Sequence, residues 1–229
     1  MSLGMKWLRR VLLVLLALGL AVGLLAGGLN LWYFIRYSPD PLIPHQRISI
    51  TLPFALEDEA TGIRALGEVE SVHPDGHGGI DFQWDHSVPI RSIADGRVTS
   101  ISRKEDMGDP VWYVSIASGE YQSVYKEMDT YRPGLVIGSP VRRGDPIGTP
   151  HCTAEPDGRQ VHCQIHWEFG YASIVPTFTS HQDRLCPLTY FDADSLRRIN
   201  AIWDGVKARH DDLPGYPDIC NGPFKGFDQ

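Results

Sequence analysis

The feature that most constrains this chain is an uncharged apolar run over residues 11–35, VLLVLLALGLAVGLLAGGLNLWYFI. A helix of about 20 apolar residues is long enough to cross the hydrocarbon core of a bilayer. The sequence therefore predicts a single transmembrane anchor over residues 11–35, preceded by a short cytoplasmic segment over residues 1–10.

The charges around this run predict its orientation. Lys6, Arg9 and Arg10 precede the run, and only Arg36 follows it closely. Because positive charge is retained on the cytoplasmic side, we expect a single-pass protein of the inner (cytoplasmic) membrane, with its N-terminus inside and its main domain extracytoplasmic or periplasmic. A cleaved signal peptide is the alternative, although its apolar core usually spans only about 7–15 residues.

Four cysteines lie in the part that this topology exports, where an oxidising compartment permits disulfides. Three pairings are possible for four cysteines. We favour Cys152 with Cys163 and Cys186 with Cys220, since these pairs close the shorter loops. Free thiols remain the alternative.

The remainder divides into a proline-rich spacer over residues 36–47 and a domain over residues 48–229. Hydrophobic residues make up 42% and charged residues 21% of the chain, which is typical of a globular protein. The formal net charge of −7 offers no broad basic surface, so the composition argues against a nucleic-acid partner.

Short alternating segments separated by turn residues run from about residue 48 to 171 and predict antiparallel β structure. Residues 88–93 and 97–101 are predicted to form one hairpin, and residues 111–117 and 121–128 another. After Asp194, which we expect to cap a helix, apolar residues recur at helical spacing and predict one C-terminal amphipathic helix.

Two segments contain residues that could bind a metal ion. In HGGID, the two glycines allow a sharp reversal that could bring the imidazole of His77 and the carboxylate of Asp81 together. A glycine turn with a simple His–Asp hydrogen bond is the alternative.

The second segment is VHCQIHWEFG, residues 161–170, where a strand period of two gives one polar face and one apolar face. The polar face carries His162, Gln164, His166 and Glu168. A solvated strand would show the same pattern. Together, however, His77, Asp81 and His166 would offer Zn²⁺ two nitrogens and one oxygen, leaving a fourth position open as in catalytic zinc sites.

These segments resemble the lysostaphin-type (LytM-like) zinc metalloendopeptidases, which cut peptide cross-links in peptidoglycan. The resemblance covers about residues 68–170 and rests on HGGIDF, VPIRSIADGRVTSI, VYKEM, GLVIGSPVRRGDPIG and QIHWEFG, in the family's order. It implies zinc ligated by His77, Asp81 and His166. With the strand pattern, it predicts a mainly β domain, an antiparallel β-sandwich or folded-over barrel-sandwich hybrid.

Two family positions differ. Glu127 and Gln164 stand where the family has its catalytic histidines, which do not ligate the metal. Glu127 could serve as the base for a zinc-activated water, and Gln164 could donate a hydrogen bond to the oxyanion. His162, on the same strand face, is a lower-ranked proton-handling candidate.

Two functions follow from these residues. The first is a membrane-anchored zinc metallopeptidase that hydrolyses peptidoglycan peptides. The alternative is a catalytically silent peptidase-like domain that binds cell wall or regulates a partner hydrolase. A β-rich adaptor without metal is a third hypothesis.

The remaining histidines are not assigned to the site. His73 is a candidate substitute ligand. The spacing of four further histidines suggests no partner for them: His86, His151, His181 and His210.

Overall fold

The computed structural model describes residues 3–37, 47–69, 74, 76–106, 108–154, 161–171, 184–209 and 218–220. Contacts divide the described residues into two compact units, one that contains residues 3–37 and one that contains the described residues from 47 onwards. Most of the predicted proline-rich spacer lies outside the described residues, as do His73, His181 and His210.

The first unit contains one long helix, α1, which spans Leu3–Tyr37 and covers the apolar run. Its described leucines are exposed, as are Val14 and Val22. Within the described part of the chain, no helix meets the combined length and hydropathy needed to cross a bilayer. The prediction of a helix over residues 11–35 is confirmed, whereas the prediction that it spans a membrane is not.

In the second unit, nine strands of the described residues form one antiparallel sheet. Their bounds are Gly62–Arg64 (β1), Ile80–Trp84 (β2), Ile90–Arg91 (β3), Gly96–Asp106 (β4), Asp109–Ser118 (β5), Tyr121–Tyr131 (β6), Pro140–Val141 (β7), Pro146–Ala154 (β8) and Val161–Tyr171 (β9). The order is β1-β2-β9-β8-β6-β5-β4-β7, with β3 paired to β8.

β9 pairs with three strands: β2 along one edge, and β8 and then β6 along the other. β6 pairs with β9 in its first half and with β8 in its second half, so the sheet curls. The predicted mainly antiparallel β fold is confirmed. Because the described strands join a single curled sheet, the folded-over form fits better than a sandwich of two separate sheets.

One predicted hairpin is correct and the other is wrong. β5 and β6 pair about a tight turn, with Ser118 opposite Tyr121 and Gly119 at a φ of 63°. The predicted pairing of residues 88–93 with 97–101 does not occur, because β3 pairs with β8 and β4 pairs with β5 and β7. Residues 94–96 therefore connect strands that have different partners.

The amphipathic helix α2 spans Ala193–Lys207 and buries Ile199, Ile202, Trp203 and Val206, as its spacing predicts. Its N-cap is Asp192, whose side chain accepts a hydrogen bond from the backbone N–H of Ser195. The predicted cap, Asp194, lies in the first turn, so the helix begins earlier than expected.

Both favoured disulfides are present, Cys152–Cys163 and Cys186–Cys220. The first joins β8 to β9, and the second connects the segment before α2 to the described residues near the C-terminus. Aromatic and aliphatic side chains fill the inside of the sheet, among them Phe82, Trp84, Trp167 and Trp203.

Candidate metal centre

Three side chains predicted as metal ligands converge in the structure. Nε2 of His77 lies 3.0 Å from Nδ1 of His166 and 3.1 Å from Oδ1 of Asp81. Oδ1 of Asp81 lies 2.8 Å from Nδ1 of His166. The three atoms thus form a nearly equilateral triangle of two nitrogens and one oxygen.

Strand register places two of the three residues. Asp81 on β2 lies directly opposite His166 on β9. Directly opposed residues of an antiparallel pair project from the same face, with Cβ atoms about 4.5–5.5 Å apart. The polar face that period two predicts for β9 is therefore the face that meets Asp81.

His77 reaches the triangle because the backbone approaches β9 very closely. A Cβ on Gly79 would lie 2.6 Å from the carbonyl oxygen of Trp167 and 2.7 Å from Nε2 of His166. Glycine is thus required at residue 79 for space. The paired glycines were predicted to allow a sharp reversal of the chain. The positive φ in this segment, 98°, is at Gly76 instead, and Gly79 is needed because the backbone there packs closely against β9.

Hydrogen bonds behind the triangle decide which ring nitrogen faces it. Nδ1 of His77 donates to the carbonyl oxygen of Ala65 at 3.1 Å, which leaves Nε2 directed at Asp81. Nε2 of His166 lies 3.3 Å from the carboxylate of Glu168, so Nδ1 is the nitrogen directed at Asp81. Histidines that bind metals typically hydrogen-bond through their other ring nitrogen to a carboxylate or a backbone carbonyl, and this contact orients the ring.

Glu168 contacts three basic side chains, His166, Lys126 and Arg184, in a largely buried charged cluster. Its Oε1 accepts hydrogen bonds of 2.6 Å from Nζ of Lys126 and of 2.6 Å from the guanidinium of Arg184. The side chain is only 5% exposed. Burial opposes ionisation of this carboxyl, but His166, Lys126 and Arg184 outweigh it and hold the pKa of Glu168 well below its ordinary value.

The same balance operates at the triangle itself. Burial disfavours a charged Asp81, yet hydrogen bonds from His166 and His77 lower the pKa of its carboxyl far below the usual range. Burial also disfavours a charged His166, but the carboxylates of Asp81 and Glu168 raise its pKa to about 9. A bound cation would replace the proton that His166 Nδ1 holds.

The donor set fits zinc. Ligand atoms about 2.0–2.1 Å from Zn²⁺ at tetrahedral angles lie about 3.3–3.4 Å apart, close to the edges of this triangle. His77 and Asp81 are buried, with 1% and 2% of their surface exposed. Three protein donors leave one tetrahedral position open, as catalytic zinc sites do. The ligand roles of these three residues remain predictions that the geometry permits.

Glu127 and Gln164 meet each other beside this centre. Nε2 of Gln164 donates to Oε2 of Glu127 at 2.7 Å, and Oε1 of Gln164 accepts from Nε2 of Gln83 at 3.3 Å. Glu127 has a φ of 59°, in the left-handed region that a side chain rarely adopts. Its bulge stands where β6 changes its partner from β9 to β8, and bulges of this kind re-aim side chains next to active sites.

His162 lies farther from the centre. It is exposed on β9 opposite Thr153, four residues along the strand from His166. At about 3.3 Å per residue, the two backbones are about 13 Å apart along that strand. The structure thus brings Glu127 and Gln164 together but leaves His162 apart from them.

Sequence reasoning missed the charged cluster behind His166. Glu168 was visible on the polar face of β9, but its buried position became evident only from the fold. Lys126 lies opposite His166 on β6, a pairing that a long-range register determines. Arg184 follows a stretch with no recognisable motif, so the sequence held no signal for it.

Comparison with known proteins supports the predicted family. Residues 75–174 match the model of Peptidase family M23. A protein of Mycobacterium tuberculosis strain H37Rv designated Rv3786c is 31% identical over 146 residues, which cover 62% of this chain. The chain spans only 32% of that relative's length.

Solved structures that this chain matches include Csd3 of Helicobacter pylori and the antimicrobial peptidase lysostaphin of Staphylococcus simulans. Csd3 is 20% identical with a TM-score of 0.45, over 72% of this chain and 42% of its own. Lysostaphin is 17% identical with a TM-score of 0.45, over 64% of this chain and 54% of its own. The match over residues 75–174 confirms the predicted resemblance to this peptidase family.

Proposed function

We propose that this protein is a zinc metallopeptidase that hydrolyses peptide bonds in peptidoglycan. The observation that carries the proposal is the convergence of His77 Nε2, Asp81 Oδ1 and His166 Nδ1 within about 3 Å of one another. The M23 family match supports the reaction class. His77, Asp81 and His166 would hold the ion.

Zinc, when bound, would polarise the scissile carbonyl and make an attacking water more acidic. The chain supplies the remaining groups. The carboxylate of Glu127 would take a proton from the water, since the bulge at β6 aims it toward the polar face of β9. Gln164 already donates one amide hydrogen to Glu127 and has a second for the carbonyl oxygen of the substrate.

The proposed location is extracytoplasmic. Two disulfides support it, because structural disulfides persist in oxidising compartments. Attachment to the cytoplasmic membrane through the apolar helix α1 is part of this proposal. Cell fractionation of the full chain checks the location, because a protein recovered wholly in the cytosol would contradict it.

A silent peptidase-like domain is the second candidate, and one observation favours it. The hydrogen bond that Gln164 donates to Glu127 joins the two residues that, by the resemblance, stand where the family has its catalytic histidines. In that case the polar face of β9 around this centre would bind cell-wall peptides or contact a partner hydrolase without turning over substrate.

The deciding experiment incubates the zinc-loaded full chain with cross-linked muropeptides and separates the products by chromatography. We expect cleavage by the unaltered protein and none by Asp81→Asn, which should also lose stoichiometric zinc. Asp85→Asn is the matched control, because Asp85 directly follows β2, the strand that carries Asp81, but its side chain is 70% exposed. Bound zinc with no product from any muropeptide would favour the silent domain.

A second variant tests the base. Glu127→Gln keeps the shape of the side chain and removes its basicity. We expect it to retain zinc and to lose about 10²–10⁴-fold in rate, the usual contribution of general acid–base catalysis. Cleavage at the normal rate would remove Glu127 from the mechanism.

A further inference from the structure

His151 lies in a place that its sequence context does not reveal. It belongs to β8, and the register places it directly opposite Gln164 on β9. Directly opposed residues share a face of the sheet, so His151 projects on the same side as Gln164 and His166. The structure therefore places an imidazole beside Gln164, the position where the resemblance implies a histidine in the family.

Two rows of side chains cross this face of the sheet. Gln83, Gln164 and His151 form one row, and Asp81, His166 and Lys126 form the next. His151 is thus a diagonal neighbour of His166, at a separation of about 7–8 Å that aromatic and long side chains can bridge. A substrate peptide positioned over the three candidate ligands would lie within reach of His151.

A disulfide fixes the register that puts His151 there. Cys152 and Cys163 are the next opposed pair after His151 and Gln164, with Cα atoms 4.0 Å apart. Successive side chains alternate between faces, so this disulfide lies on the opposite side of the sheet from His151. A slip of β8 against β9, which would move His151 away, would require the disulfide to break.

The imidazole of His151 is held in one orientation. Its Nδ1 lies 2.6 Å from Oδ1 of Asp129, and the other carboxylate oxygen of Asp129 accepts a hydrogen bond of 3.1 Å from the backbone N–H of Cys152. Nε2 has a more distant neighbour, Oδ2 of Asp109 at 3.6 Å, on a side chain that is 56% exposed. His151 itself is 25% exposed, so a ligand can reach it.

We propose that His151 is a catalytic residue of this domain, oriented by Asp129, which protonates the amine that leaves the cleaved peptide. The proposal rests on the proposed peptidase function. Water would add through its oxygen to the carbonyl carbon while Glu127 takes one of its protons. The C–N bond then breaks as Nε2–H of the His151 imidazolium passes its proton to the departing nitrogen.

The products of this sequence are a carboxylic acid and an amine, and the protons balance. Glu127 releases its proton to solvent, and His151 regains one from solvent. Asp129 acts as a positioning residue, since it keeps a hydrogen on Nδ1 and leaves Nε2 as the nitrogen that gives up its proton. The carboxylate–imidazole pair occurs in this role in other hydrolases.

The test compares His151→Gln and His151→Ala with His86→Ala in the zinc-loaded full chain. His86 is the matched control, because its Nδ1 also lies 2.6 Å from a carboxylate, Asp85, and it is 61% exposed in a turn after β2. We expect both His151 variants to retain zinc and to cleave muropeptides about 10²–10⁴-fold more slowly, with kcat reduced more than KM changes. The control should match the unaltered protein.

An ester analogue of the same peptide separates proton donation from a structural effect. An alkoxide leaves with far less need of a proton than an amide nitrogen, so the loss in His151→Gln should be at least about ten-fold smaller on the ester. Asp129→Asn should show the same pattern with a smaller loss. Equal losses on both substrates, or no loss at all, would overturn the assignment.

Binding of a phosphinate dipeptide by calorimetry tests His151 without turnover. The phosphinate mimics the tetrahedral carbon of hydrolysis, and we expect His151→Ala to weaken its binding at least about ten-fold while His86→Ala does not. If the unaltered protein cleaves no muropeptide, the peptidase proposal fails, and this measurement still decides whether His151 contacts a ligand of the site. Unchanged phosphinate affinity, or no phosphinate binding at all, would contradict the assignment.

Discussion

The carboxylate of Glu168 lies 3.3 Å from Nε2 of His166, and this contact determines that Nδ1 of the imidazole faces Asp81. Glu168 also binds Lys126 and Arg184, so three basic groups hold one buried carboxylate in place. The orientation of a candidate ligand thus depends on residues that take no part in the ligand triangle.

The first prediction follows from this contact. Glu168→Gln should lower the zinc affinity about 10–100-fold, because outer hydrogen-bond partners contribute about this much to metal binding. Chelator competition measures the affinity, and thermal unfolding monitors the fold. Glu57→Gln, at an exposed site, is the control and should bind zinc normally. Unchanged affinity in Glu168→Gln would show that His166 needs no outer partner.

The second prediction concerns Gly79, whose lack of a side chain lets the backbone near His77 pack against β9. Gly79→Ala should lower the free energy of unfolding by about 1–3 kcal/mol and abolish stoichiometric zinc binding, because its Cβ would meet Trp167 and His166 at less than 3 Å. Gly205→Ala in α2 is the matched control. Its nearest neighbour, Arg209, is 3.5 Å away, so alanine should raise the free energy of unfolding by about 0.5–1 kcal/mol. Urea unfolding measures both.

The sequence predicted those parts of the site that depend on local spacing. Period two placed Gln164, His166 and Glu168 on one face of β9. The paired glycines of HGGID predicted that His77 and Asp81 converge, but through a sharp reversal and not through the close approach of Gly79 to β9 that the structure shows. Loop length favoured the correct disulfides. Each of these inferences needs only the pattern of a short segment and the geometry of one strand or turn.

The remainder depends on which strands become neighbours. β3 contains only two residues, and its pairing with β8 instead of β4 is decided by the curl of the whole sheet. His151 has no partner within its own segment and gains its position only when β8 pairs with β9. Long-range register of this kind leaves no periodic signal in the sequence, so neither feature could be predicted from it.

The third prediction concerns the pH dependence of the α2 cap. Burial opposes ionisation of Asp192, but hydrogen bonds from Ser195 and the charge of Arg143 lower the pKa of its carboxyl below the ordinary value. A lowered folded-state pKa stabilises the protein above the unfolded value near pH 4, and this stabilisation is lost as the pH falls through the folded value. Asp192→Ala should therefore cost about 0.5–2 kcal/mol at pH 7 and less at pH 3.

Urea unfolding of both proteins at pH 7 and pH 3 measures this difference. Asp194→Ala is the control, because Asp194 lies in the first turn and does not cap the helix. It should cost less than Asp192→Ala at pH 7. A penalty for Asp192→Ala that is the same at both pH values would show that the charge of the cap does not contribute.

The fourth prediction separates backbone strain from chemistry at Glu127. Its φ of 59° costs a residue with a side chain about 1–2 kcal/mol, whereas glycine adopts this conformation freely. Both Glu127→Gly and Glu127→Ala remove the carboxylate that Gln164 contacts, so both should lose muropeptide cleavage to the same extent. Glu127→Gly should nevertheless be about 1 kcal/mol more stable to urea than Glu127→Ala, which measures the strain that this bulge sustains to aim the carboxylate. Equal stabilities would mean that the bulge relaxes once the carboxylate is removed, and the conformation would then depend on the hydrogen bond with Gln164.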